Sequence, residues 1–136
     1  MKPWIICLLL LVAVGVAHAQ VIIITNKSVD ETRLTKQDIQ KIFLGKESQW
    51  PDNTKIHVVN LKNDEIHKAF LKEYIGRSAT QYKNWWKKML FTGKGDPPQE
   101  FDSVEGLVEF VAKTKGAIGY IDTTPANENV KAITVE

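Results

Sequence analysis

Between Thr35 and Val59 the chain spells out a helix, its stop, a wide turn and a strand in direct succession, and that order narrows the folds open to it. The Thr35 hydroxyl can accept a hydrogen bond from a free N–H of the first helical turn. Asp38, three residues on, completes a reciprocal capping box. Leu34, Ile39, Ile42 and Phe43 share one apolar face at helical spacing. Gly45 can take the left-handed conformation that closes such a helix. Trp50-Pro51-Asp52 then makes a turn anchored by the tryptophan, and Ile56 to Val59 enter a sheet as a short strand.

Residues 1–19 read as an address rather than as structure. Lys2 and the amino terminus supply positive charge, Trp4 to Ala17 an apolar run, and Ala17-His18-Ala19 a small-x-small cleavage site. The run is too short for an ordinary membrane span. Cleavage after Ala19 would leave residues 20–136 as one domain in the periplasm. Cys7 is the one cysteine and falls within the signal, so the mature domain has none, which excludes disulfides, thiol catalysis and cysteine–metal sites. A domain of this length can instead bury about 65% of its surface and rely on its core. The formal charge is +2, and loss of Lys2 leaves 17 basic against 16 acidic side chains, or +1. That balance gives no argument for nucleic acid or an anionic membrane. Lys83, Lys87, Lys88, Lys94 and Lys113 read as a solvated face.

Val21 to Thr25 is a continuous β-branched run that suits a central strand buried on both faces. A second helix starts at Asn63 or Asp64, carries Ile66, Phe70 and Tyr74 on one face, and ends at Gly76. A third starts at Ser78 or Thr80, with Tyr82, Trp85, Trp86, Met89 and Leu90 at amphipathic spacing. Pro97-Pro98 cannot continue it. A fourth begins at Asp102 or Ser103, turns Val104, Leu107, Val108 and Val111 inward, and stops by Gly116. Ala117 to Ile121 and Val130 to Val135 are the last strands. The order β-α-β-α-α-α-β-β predicts one α/β sheet, partly parallel, with helices on its faces.

Several blocks in this order resemble the phosphate-binding subunits of phosphate ABC transporters and their small single-domain relatives. They are Ile42-Phe43-Leu44-Gly45-Lys46 with Trp50 and Ile56 to Val59, then Phe70-Leu71-Lys72. Tyr82-Lys83-Asn84-Trp85-Trp86 with Phe91-Thr92-Gly93-Lys94-Gly95 and Pro97-Pro98 follows, and Gly116 to Ile121 closes the series. The resemblance spans nearly all of residues 20–136. It implies a single lobe of a type II periplasmic-binding-protein-like fold, a mixed sheet flanked by about four helices, acting without catalysis or cofactor.

Full-length relatives close two lobes around phosphate, held by backbone N–H groups and hydroxyls at helix N-termini and by an arginine. Aligned on Phe70, the arginine position is Asn60, and the family's Ser-Gly-Thr positions are Asp64, Glu65 and Ile66. Asp64 and Glu65 suit the helix dipole themselves. The resemblance leaves Asn26 and Ser28, after the first strand, and Lys62 and Asn63, beside the second helix, as ligand-binding candidates for a phosphate-like oxyanion. Read from the residues alone, Asn26 and Ser28 shape a turn and Asn63 caps a helix. One lobe lacks the second wall of a cleft, so a self-dimer or a periplasmic protein partner is the alternative, in a module that kept the fold and lost the ligand.

His57 and His67 are the histidines beyond residue 19. Asp64 and His67 stand at i, i+3, but two ligands fall short of a zinc site, and His67 reads as an exposed helical residue. No nucleophile–base pair, paired catalytic carboxylates or phosphate loop is recognisable by spacing, and Gly93-Lys94-Gly95 reads as a turn. Trp85 and Trp86 lie about 100° apart on their helix. Both read as core residues, with the alternative that one lies at the edge and suits a partner.

Overall fold

The computed structural model describes residues 20–62 and 64–136, so the export signal and the Asn63 assignment lie outside the described residues. In chain order the elements are β1 (Ile22–Asn26), β2 (Arg33–Leu34), α1 (Lys36–Phe43), β3 (His57–Leu61), α2 (Glu65–Phe70), α3 (Ala79–Phe91), β4 (Gln99–Phe101), α4 (Val104–Lys113), β5 (Ala117–Ile121) and β6 (Val130–Val135). The strands form one sheet in the order β2-β6-β1-β5-β3-β4. β1 is central and antiparallel to both β5 and β6, whereas β3 runs parallel to β5 and β4, and β2 parallel to β6. This is the expected α/β lobe with a mixed sheet and helices against it.

The local signals act where the sequence puts them. Thr35 and Asp38 exchange both capping hydrogen bonds at the start of α1. Gly45 follows the helix at φ 72°, and a Cβ there would sit 2.6 Å from the Trp86 ring, so both the turn and the packing require glycine. The Trp50 indole donates to the Gly116 carbonyl at 2.9 Å, tying the turn before β3 to the start of β5. Ser78 caps α3 with Gln81, and Ser103 caps α4.

Because strand side chains alternate, β5 serves two layers at once. Gly119 faces α4, where a Cβ would come within 3.0 Å of both Leu107 and Val59. Tyr120 points the other way, stacked on Phe70 of α2 with ring centroids 3.9 Å apart and tilted against Phe43 of α1.

Four features depart from the sequence reading. The short edge strands β2 and β4 are extra; each is held by pairing with a strand distant in sequence. α2 widens into a π-helical segment, Leu71–Ile75, before Gly76 ends it in the left-handed region. Leu90 is 52% exposed, because the packed face of α3 is only Tyr82, Trp86 and Met89. Trp86 is buried, but Trp85 is half-buried at the rim, beneath the Lys46 ammonium and the Arg77 guanidinium.

Candidate functional site

The carboxyl end of β3 opens into a crevice of about 550 Å³ between β3, β4 and α3. Crevices at strand carboxyl ends are the favoured ligand position of open α/β sheets. Asn60 and Lys62 reach it from β3, Glu100 from β4, His67 from α2, and Tyr82, Lys83 and Lys87 from α3.

Asn60 is 3% exposed, and its Nδ2 donates to the Tyr82 hydroxyl at 3.0 Å. That hydroxyl donates in turn to the Phe43 carbonyl at 3.1 Å, and the Trp86 indole donates to the same oxygen at 3.2 Å. Trp85 donates to the Leu44 carbonyl at 2.9 Å. The polar edges of three α3 aromatics therefore satisfy carbonyls at the end of α1 that have no partner in their own helix. Burial pushes the Tyr82 phenol up to about 12, so it remains a donor. The Asn60 Oδ1, by contrast, is buried with no hydrogen-bond partner. Such an atom forfeits its hydration with nothing in return.

Behind it lies a second buried polar pair. The Tyr120 hydroxyl accepts from the Leu61 N–H at 3.0 Å and is hydrogen-bonded to His67 Nδ1. Burial raises the Tyr120 phenol far above its usual range. Burial also lowers His67, against the opposing pull of the Asp64 and Glu100 charges. The pattern of partners assigns a Tyr120 O–H donating to an unprotonated Nδ1, with the imidazole proton on Nε2. His67 is thus a buried, neutral residue and not the exposed one its helical position suggested.

The N-terminus of α2 is met by the chain's own carboxylate: Asp64 Oδ1 accepts from the His67 N–H at 2.8 Å. Glu65 pairs with Lys68 at 3.7 Å on the surface. The remaining rim is basic. Lys62, which also pairs with Asp102 at 3.3 Å, joins Lys83 and Lys87 against Glu100.

Asn26 and Ser28 lie elsewhere. Asn26 Nδ2 donates to the Val111 and Ala112 carbonyls at 2.7 and 3.1 Å, and its Oδ1 accepts from the Ser28 N–H at 2.9 Å. Ser28 Oγ accepts from the Gly116 N–H at 3.3 Å. Because β1 is antiparallel to β5, and β5 parallel to β3, its carboxyl end lies level with His57, where β3 begins. Lys62 is five residues further along β3, about 16 Å away at the strand rise. Asn26 and Ser28 therefore do not share one site with Lys62.

Among the described residues no group of three or more His, Cys, Asp or Glu is arranged to hold a metal ion. The sequence reading named Lys62 and, by alignment, Asn60, but missed the Tyr82–Asn60 and Tyr120–His67 pairs. Tyrosines at core-facing positions were the available signal, since a buried phenol needs a polar partner.

Residues 11–135 match the family model of the PBP superfamily domain. The chain belongs to the PBP superfamily. Solved structures share the fold of this PBP domain at low identity. A Clostridium perfringens protein described as a phosphate ABC transporter substrate-binding protein, with phosphate bound, is 23% identical with a TM-score of 0.67, over 85% of this chain and 44% of its own. PstS of Borrelia burgdorferi is 18% identical with a TM-score of 0.62, over 85% and 47%. An ABC-type phosphate transport receptor of Vibrio cholerae is 19% identical with a TM-score of 0.56, over 85% and 45%. This PBP domain spans less than half the length of each of these proteins.

Proposed function

We propose that this chain is a non-catalytic solute-binding lobe of the periplasm whose ligand occupies the crevice at the carboxyl end of β3. The ligand is a small oxyanion of the phosphate type, carrying an O–H as well as negative oxygens. The observation that carries this reading is the unpartnered Asn60 Oδ1 beside Lys62, Lys83 and Lys87. A buried acceptor calls for a donor, and the lysines call for negative charge; a protonated oxyanion supplies both. The solved relatives whose descriptions name phosphate transport support the ligand class.

Calorimetric titration tests it. Phosphate should release heat and sulfate, which has no O–H at neutral pH, should bind more weakly. Absence of heat at millimolar phosphate would overturn the oxyanion assignment. One observation favours a second reading, in which the fold persists without a ligand: Asp64 already fills the helix N-terminus where an anion would be held. The same titration separates the two. Export rests on residues 1–19 acting as a cleaved signal, and the mass of the periplasmic product should correspond to a chain starting at Gln20.

A further inference from the structure

α3 ends on a feature that its packing does not use. Tyr82, Trp86 and Met89 fill the core, and Phe91 lies about 200° round the helix from Met89, facing away from the sheet. Phe91 is 92% exposed and Leu90 52%, and these are the exposed large hydrophobic residues among those described. They are consecutive. Isolated exposed apolar side chains are ordinary, so the ring alone would say nothing.

Its surroundings are more specific. Lys87 and Lys88 stand one turn back, on either side of Phe91, and Lys94 follows the turn at Gly93, whose φ is 68°. From Ala79 to Gly95 the chain carries Lys83, Lys87, Lys88 and Lys94 and no carboxylate. None of the four is in an ion pair among the described residues.

We propose that the carboxyl end of α3 is a peripheral contact for an anionic lipid bilayer, with Phe91 and Leu90 entering the headgroup layer and the lysines meeting lipid phosphates. A protein partner fits less well. Lysine is depleted from the buried centre of protein interfaces, and two apolar residues fall far short of the roughly 800 Å² per partner that a stable interface buries. A bilayer needs no such area: aromatic and aliphatic side chains dip below the phosphates while lysine stems extend back to them. The whole chain is nearly neutral, so the attraction is local and screened within about 8 Å at physiological salt. Binding is therefore weak, reversible and sensitive to salt. Leu90, Lys83 and Lys87 also border the crevice at Asn60, but Phe91, Lys88 and Lys94 do not line it, and the inference does not require the crevice to bind a solute.

Co-sedimentation of the purified chain with vesicles tests it, using phosphatidylcholine alone and an equal mixture with phosphatidylglycerol. The chain should bind the mixed vesicles at low salt and release as salt rises, with little binding to the neutral ones. Phe91→Ser and the double variant Lys88→Glu/Lys94→Glu should each weaken binding at least about tenfold. Residues 1–19, if retained, are common to every variant and cancel in that ratio. The altered side chains are exposed, so coincident thermal melts should accompany the loss. Equal binding to both vesicle types, or full binding by Phe91→Ser, would overturn the proposal. Failure to bind mixed vesicles would do the same and turn attention to a protein partner.

Discussion

Asn26 and Asn60 are both buried strand asparagines, 6% and 3% exposed, yet they sit at opposite ends of the sheet and do opposite things. The polar atoms of Asn26 itself all find partners: two helix-end carbonyls, the Ser28 N–H and, through Ser28, the Gly116 N–H, although the neighbouring Thr25 Oγ1 is buried without one. That end is sealed and is architecture. At Asn60 the amide nitrogen is engaged and the carbonyl oxygen is not, in an open crevice edged by lysines. A buried polar group without a partner costs stability. Thr25 Oγ1 is unpartnered too, but only the Asn60 acceptor borders the crevice edged by lysines, and it is the group the proposed oxyanion would complete.

The sharpest way to break the contrast is at Gly116. Its φ is 79°, and a Cβ would lie 2.3 Å from the Lys55 carbonyl. Gly116→Ala should therefore cost about 3 kcal/mol or more in urea unfolding; a cost under about 1 kcal/mol would show that this end is not tightly sealed. Asn26→Ala should come next, at about 2 kcal/mol, since it strips a hydrogen bond from the Val111 and Ala112 carbonyls and leaves the Ser28 N–H without its acceptor. Asn60→Leu should cost no more than about 1 kcal/mol, because it removes an orphaned acceptor along with one donor, while weakening phosphate binding about tenfold. If Asn60→Leu destabilises as much as Asn26→Ala and leaves binding unchanged, the two ends do not differ in the way described.

His67 gives a pH test of the same end. Its folded pKa lies below the ordinary imidazole value of about 6.5, chiefly through burial. The unfolded chain then takes up the proton first as the solution is acidified. Stability is whole above about pH 6.5 and is lost as pH falls through the folded pKa. Thermal melts from pH 7.5 downward should show this decline, and His67→Phe should flatten it. Phe91→Ser should change stability least, within about 0.5 kcal/mol, because the ring is 92% exposed.

The parts of the fold legible in the sequence are those made by neighbours along the chain. The Thr35–Asp38 and Ser78–Gln81 capping boxes, the Ser103 cap and the left-handed glycines at 45 and 76 all act within a few residues of themselves. The last two strands also fall where their apolar runs place them. β2 and β4 were not legible because two or three residues have no strand signal of their own; their partners on β6 and β3 define them. His67 was misread for a related reason. Three residues past the Asp64 cap it looks like a surface position, and only the approach of Tyr120 and Tyr82 buries it.

The candidate site divides along the same line. Sequence alone determined the helices, narrowed each cap to one or two residues, and supplied the principal strands and the resemblance that pointed to the start of α2. It could also say that Asn26 follows a strand and that Lys62 follows another. Which end of the sheet each strand finishes at depends on strand direction, and direction is set by pairing across the chain. Only the tertiary structure decided that β1 runs against β5 and β3, which separates Asn26 from Lys62 and leaves Asn60 facing the crevice. Hydrogen-bond propensity is carried by each residue, but whether that propensity is met depends on what the fold brings within 3 Å of it.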